Sequence, residues 1–210
     1  MTDRYLPAEF DDWASSYDQS VAGNTGFPFN GYAEVIQSIV NACSPQPGAC
    51  VLDLGIGTGN LSLPFAQKGC QIWGLDFSAE MLNLARCKLP DAVLSQVDIR
   101  TDWPPEFSRK FDYIVSAYTF HHFPLEEKVC LIQRLLCQYL SKAGRLVIGD
   151  IAFASAAEQD QMRQALGSEW DQEYYWLADE AIQALDLAGI QAAFHKISDC
   201  AGVFEFQQKG

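Results

Sequence analysis

The chain has 210 residues, 49% of them hydrophobic, and its 14 Lys and Arg against 27 Asp and Glu leave a formal net charge of −13 and an isoelectric point near 4.5. That length suits one α/β domain with a sizeable core, so a single domain over 1–210 is expected, with 1–45 as an N-terminal helical segment and 46–210 as the core. The acidity works against nucleic acid phosphates and anionic membranes, which are bound through clustered Lys and Arg, and without an apolar leader or an apolar run of about 18 residues the expected location is the cytoplasm.

In chain order, Phe10, Trp13, Ala14 and Tyr17 recur at helical spacing and predict an amphipathic helix, followed by a loop from Val21 to Pro28. Tyr32 to Cys43 repeats the pattern through Val35, Ile36, Ile39 and Val40. After Pro47-Gly48, the run Cys50 to Leu54 reads as a buried parallel strand. Gly55, Gly57 and Gly59 then alternate before a helix from about Asn60 to Lys68. Such glycines let the backbone turn sharply against a ligand, and the helix start aims free N–H groups at the same place.

A dinucleotide fingerprint would read G-x-G-x-x-G. Here the third glycine falls one place early, with Asn60 in the expected slot. Asp53, beside the turn, would repel a pyrophosphate but hold a cationic amino or sulfonium group. The next strand, Ile72 to Leu75, ends in Asp76, where an acid can accept hydrogen bonds from both ribose hydroxyls. These features predict a nucleoside site rather than a diphosphate site.

Ser78 is the expected N-cap of a helix over about Ala79 to Cys87, stopped by Pro90. Val93 to Val97 reads as a third strand ending in Asp98, placed to accept from an adenine amino group. Asp112 to Ala117 is the fourth strand, Leu125 to Leu140 a long helix, Gly144 a loop residue, and Arg145 to Asp150 the fifth strand. Helices at about Ser155 to Leu166 and Ala178 to Ala188 bracket an aromatic loop from Glu169 to Trp176, and Ile190 to Ile197 and Gly202 to Gln207 close the chain as a strand pair. His121 and His122 follow the fourth strand at the crevice edge and are the candidate general bases. Adjacent histidines cannot form a helical i, i+4 metal pair, His195 stands alone, and the seven scattered cysteines lack zinc spacing, so no metal is expected.

The segment Asp53-Leu54-Gly55-Ile56-Gly57-Thr58-Gly59 resembles the first motif of the class I S-adenosylmethionine-dependent methyltransferases. Asp76 to Leu82 is similar to their ribose-binding strand end, Val97-Asp98-Ile99 to the adenine-binding one, and Phe111 to Ser116 to their fourth strand. Trp13 to Gln19 and Tyr118 to His122 resemble a narrower group of uncharacterised Gram-positive bacterial methyltransferases linked by gene context to methionine-to-cysteine salvage. The resemblance implies a Rossmann-like, doubly wound, seven-stranded sheet whose last strand is antiparallel, with an N-terminal helical lid. It implies S-adenosyl-L-methionine as cofactor, with Tyr17, Phe77, Ile99 and Ser116 joining Asp53, Gly55, Gly57, Asp76 and Asp98 around it.

Methyl transfer asks the protein mainly to align the acceptor and exclude water. With no segment left over for a recognition domain, the expected acceptor is a small molecule beneath a lid of N-terminal segment and aromatic loop, those aromatics otherwise serving packing or a homodimer contact. The alternatives are a non-catalytic sensor or scaffold binding the same cofactor and, against Asp53 and Gly59, a nicotinamide-dependent oxidoreductase.

Overall fold

The computed structural model describes residues 7–22 and 26–208. The Phe10 side chain and loop residues 23–25, part of the expectations above, lie outside that description. The sheet grows outward from β1 (Cys50–Leu54), whose apolar run is flanked in parallel by β2 (Gln71–Asp76) and β4 (Phe111–Ala117). Beyond them lie β3 (Val93–Gln96) on one side and β5 (Leu140–Phe153) on the other. β8 (Ala201–Gln208) inserts antiparallel between β5 and β7 (Ile190–Lys196), giving the order β3-β2-β1-β4-β5-β8-β7. The seven-stranded path is as expected; a two-residue strand, β6 (Trp176–Leu177), also pairs with the end of β5.

Side chains alternate across this sheet, so each strand supplies two cores. Val51, Val115, Val147 and Val203 face α2 (Tyr32–Cys43), with Val35 and Ile39 of its buried stripe against them. Leu52, Ile114, Leu146 and Phe204 face the opposite layer, where α5 (Leu125–Arg134) and α7 (Ala178–Leu187) contribute Leu131, Ile132 and Leu185. Helices on both faces are what near-continuous apolar strands require. No helix among the described residues is long and apolar enough to cross a membrane.

Three expectations are corrected. The long helix ends at Arg134 and runs into a π-turn at Leu135–Tyr139. Gly144 belongs to β5, which starts at Leu140 opposite Phe111 and shifts register there; a Cβ on Gly144 would stand 2.9 Å from the Asp112 carbonyl. Close packing between strands, and not a loop, is what selects that glycine. The first helix after the glycine turn, α3 (Ser62–Gln67), is shorter than expected, while α4 (Ala79–Lys88) has its expected cap, Met81 N–H donating to Ser78 Oγ at 3.1 Å.

Candidate active site

The carboxyl ends of β1, β2, β4 and β5 converge on a cavity of about 490 Å³, within the range of small-ligand sites. At one end is the turn after β1. Gly57 has φ +54°, and a Cβ there would meet nothing nearer than the Gly55 carbonyl at 4.0 Å, so it would project into ligand space. Asp76, almost fully buried at the end of β2, accepts from Gly57 N–H at 2.8 Å and Ser78 N–H at 2.9 Å. Burial pushes its carboxyl up to about 6 against those hydrogen bonds.

Asp53 is 1% exposed. Its Oδ2 accepts from the Ser62 hydroxyl at 2.7 Å, whereas Oδ1 has no hydrogen-bond partner. Burial and then the Asp76 charge push it up to about 7, opposed by the Ser62 bond. A buried carboxylate oxygen left without a donor costs free energy, and a cation at the glycine turn would remove that cost. Asp53 and Gly57 also line a small annex next to the main cavity, shared with Tyr17 and Tyr32.

The helix α1 (Pro7–Ala22) covers this end. Asp18 on its last turns accepts from Thr58 Oγ1 at 2.7 Å, Asn60 Nδ2 at 3.0 Å and Lys88 Nζ at 2.5 Å. Asp11 accepts from the Ser78 hydroxyl at 2.5 Å and Glu80 N–H at 3.2 Å, adding a second cap to α4. Between these anchors Trp13 and Tyr17 turn inward onto Phe29, with ring centroids 5.9 and 6.2 Å from it. Phe27 stacks on Trp170 at 5.4 Å, so the N-terminal segment meets the 169–176 loop over the cavity. Trp176 is not part of that cover: it is core, 1% exposed, with Nε1 donating to Asp150 Oδ2 at 3.0 Å.

The opposite end is built around Asp150 on β5. This fully buried carboxylate accepts from the backbone N–H groups of His121 (2.8 Å) and Ile151 (2.9 Å) as well as from Trp176, and its Oδ1 is 2.5 Å from His121 Nδ1. With three other N–H donors on it the Asp150 carboxyl serves as an acceptor, so Nδ1 carries the proton and Nε2 is turned toward Glu173 Oε2, 3.4 Å away. Glu173 Oε1 is 3.7 Å from His122 Nδ1. Desolvation opposes charge on His121, but Asp150 and then Glu173 outweigh it and hold its pKa above the usual value. Desolvation, with the neighbouring His121 and Lys128, lowers His122 to about 2. Lys128, buried over the Trp176 ring at 4.3 Å and donating to the Tyr174 carbonyl, is pushed down to about 8 by burial, opposed by Asp150 and Glu173.

Of the residues singled out from sequence, Tyr17, Gly55, Gly57, Asp76, Phe77, His121 and His122 line the main cavity and Asp53 lines the annex. Three do not come together with them. Asp98 lines neither space; its carboxylate is engaged by Arg100, Nη2 to Oδ2 at 2.6 Å. Ile99 is buried in the core, and the Ser116 hydroxyl donates to the Leu54 carbonyl at 2.6 Å, tying β4 to β1. Sequence reasoning missed Asp150 and Glu173. Asp150 could have been found as the acid near the carboxyl end of the fifth strand, matching Asp53 and Asp76; Glu173 carried no such signal.

A family described as a methyltransferase domain matches residues 51–144. An uncharacterised methyltransferase of Geobacillus sp. strain WCH70 is 35% identical over 177 residues, covering 81% of this chain and 78% of that protein. The magnesium protoporphyrin IX methyltransferase ChlM of Synechocystis PCC 6803, solved with bound SAH, superposes with a TM-score of 0.71 at 19% identity, covering 98% of this chain and 100% of that one. The DhpI–SAH complex superposes with a TM-score of 0.71 at 17% identity over 97% and 95% of the two chains.

Proposed function

The chain belongs to the class I S-adenosylmethionine-dependent methyltransferases, and from that premise we propose that it methylates a small-molecule acceptor by in-line displacement. S-adenosyl-L-methionine is its cofactor and supplies, when bound, a methyl group on an electrophilic sulfonium. The observation that carries the reading is that one cavity runs from the glycine turn and Asp76 to the histidine pair. A nucleoside at the first end faces an acceptor at the second.

The residues fit that cofactor. Asp76 offers carboxylate oxygens for the ribose hydroxyls, Gly57 leaves room for a ligand, and Asp53 holds the partnerless oxygen that suits a cationic amino group. Tyr17, Gly55 and Phe77 line the same space. Segment 1–45 serves as the lid and 46–210 as the core, Phe27 closing the lid against Trp170 of the 169–176 loop and Trp13 lining the cavity, which excludes water. At the acceptor end His121 and His122 orient or deprotonate the nucleophile, with Asp150 fixing the His121 ring. A site with no Lys or Arg in its wall among the described residues and a chain of net charge −13 turn polyanions away, which supports a small acceptor. A place in methionine-to-cysteine salvage is proposed on the resemblance to the narrower group alone.

The test is calorimetry with the product nucleoside and, separately, with NADH, followed by labelled-methyl transfer over a panel of small acceptors, tRNA and protein. Nucleoside binding with transfer to a small acceptor is expected. Tight NADH binding without nucleoside binding would overturn the cofactor site, and preferential methylation of tRNA or protein would overturn the acceptor class.

A further inference from the structure

Three side chains at the acceptor end, His121, His122 and Glu173, bring one ligand atom each to within 4.8 Å of one another. We propose that they hold a divalent metal ion of the zinc type, and that this ion takes the acceptor through a thiol or hydroxyl group. The inference rests on the proposed reaction, because it gives the acceptor end of that same cavity its ligand.

Zinc ligands about 2.0–2.2 Å from the ion at tetrahedral angles stand about 3.3–3.6 Å apart. Glu173 Oε2 to His121 Nε2 is 3.4 Å, and the other oxygen, Oε1, is 3.7 Å from His122 Nδ1, so the carboxylate faces both rings with one oxygen toward each. Two histidines with one glutamate are the donor set of a catalytic zinc site, which keeps its fourth position for water or substrate. All three residues line the cavity, so the fourth position faces it.

The second observation is the Asp150 carboxylate behind His121. A metal-binding histidine commonly gives its other ring N–H to a carboxylate, which fixes the tautomer and aims the free nitrogen at the ion. Here the Asp150 oxygen is 2.5 Å from His121 Nδ1 and also accepts Ile151 N–H, while its other oxygen accepts His121 N–H and Trp176 Nε1. The ring is therefore held with Nε2 toward Glu173. The expectation of no metal considered only sequence spacing; the third ligand comes from a loop that folds back over the pair, where Tyr174 N–H donates to the His121 carbonyl at 3.0 Å.

The surroundings are anionic: Glu169 and Asp171 line the cavity with Glu173, Asp150 lies behind His121, and a divalent ion would join Lys128 among them. In the step, the acceptor atom binds the ion, its S–H or O–H bond breaks and the proton passes to solvent at the cavity mouth, the two histidines serving as ligands that orient the acceptor and not as the base. The freed lone pair then attacks the methyl carbon as the carbon–sulfonium bond breaks. Lowering the pKa of a bound thiol or hydroxyl in this way is what such ions contribute.

The experiment is equilibrium dialysis of the full chain against zinc chloride with metal analysis, paired with cobalt(II) substitution read by visible absorption. One equivalent of zinc and the intense bands of four- or five-coordinate cobalt are expected. Glu173→Gln and His122→Asn, each checked for an unchanged unfolding transition, should weaken retention by about a hundredfold, whereas Glu180→Gln, at an exposed position of α7, should retain the metal as wild type does. Absence of stoichiometric zinc, or equal retention in both ligand variants, overturns the site. Calorimetry with the product nucleoside on the same samples separates the two ideas: nucleoside bound and zinc refused removes the metal alone, while zinc bound and nucleoside refused removes the proposed reaction.

Discussion

The two ends of the cavity are made in different ways. The cofactor end is local: Asp53, the glycine turn, Ser62 and Asp76 come from one β–α–β unit, and Gly57 N–H reaches Asp76 across a single crossover. The acceptor end is assembled from β4, β5, α5 and the loop before β6, and only folding brings Asp150, Glu173 and Lys128 to His121. The local end carries unsatisfied charge in the form of Asp53 and waits for a ligand, whereas the assembled end satisfies its central carboxylate with four donors.

Substitutions should separate the ends. Asp150→Ala strands the His121 and Ile151 N–H groups and Trp176 Nε1 in the core, and should lower unfolding free energy in urea by about 3–5 kcal/mol. A loss under about 1 kcal/mol would show that the cluster is not the structural knot described. His121→Gln and His122→Gln test function at the same end: loss of the acting histidine should reduce turnover by about a hundredfold with product-nucleoside affinity unchanged, and unaltered turnover in both would return the pair to packing. At the cofactor end Asp76→Ala should weaken nucleoside binding by about 1.5–3 kcal/mol in calorimetry, and a loss confined to turnover would contradict the assignment.

A pH series reads Asp53 directly. Its folded pKa, about 7, lies above the 3.8 of the free group. The stability this gives the ligand-free protein is therefore complete below pH 3.8 and is lost as pH rises through about 7, at a slope approaching about 1 kcal/mol per pH unit. Asp53→Asn should flatten that slope, and product nucleoside, favouring the ionised acid, should bind more tightly as pH rises through the same window. The smallest effect belongs to the lid anchor: Asp18→Asn, at a half-exposed ion pair with Lys88, should cost about 0.2–1 kcal/mol in nucleoside affinity, with faster proteolysis of 1–30 than in wild type.

What was legible in the sequence follows the same division. Val51 to Gly59 and Ile72 to Asp76 announce strand, turn and acid because periodicity and glycine act over a few residues, and α2 is correctly bounded at Tyr32 and Cys43. The partner of Asp98 was not legible: Arg100, two places on, takes its carboxylate. Nor was the bridge between strands that the Ser116 hydroxyl makes. Glu173 was invisible: in sequence it is one acid in an aromatic loop, and its meaning arises only when Tyr174 hydrogen-bonds back to His121. Gly144 misled for the converse reason, since a glycine chosen by cross-strand crowding looks like a glycine chosen by a turn.

The N-terminal helix is fastened by two unlike adhesives. Near its C-terminus Asp18 grips Lys88, while in its middle Trp13 and Tyr17 lie against Phe29. Ionic strength acts on these in opposite directions: small ions screen a part-exposed charge pair within a Debye length of about 8 Å at physiological salt, whereas strongly hydrated salts such as sulfate reinforce apolar contact. Chloride and sulfate at equal ionic strength therefore leave this helix differently attached, the first loosening its charged seam and the second compensating through the rings. The salt in which this protein is kept becomes a variable of its cofactor site.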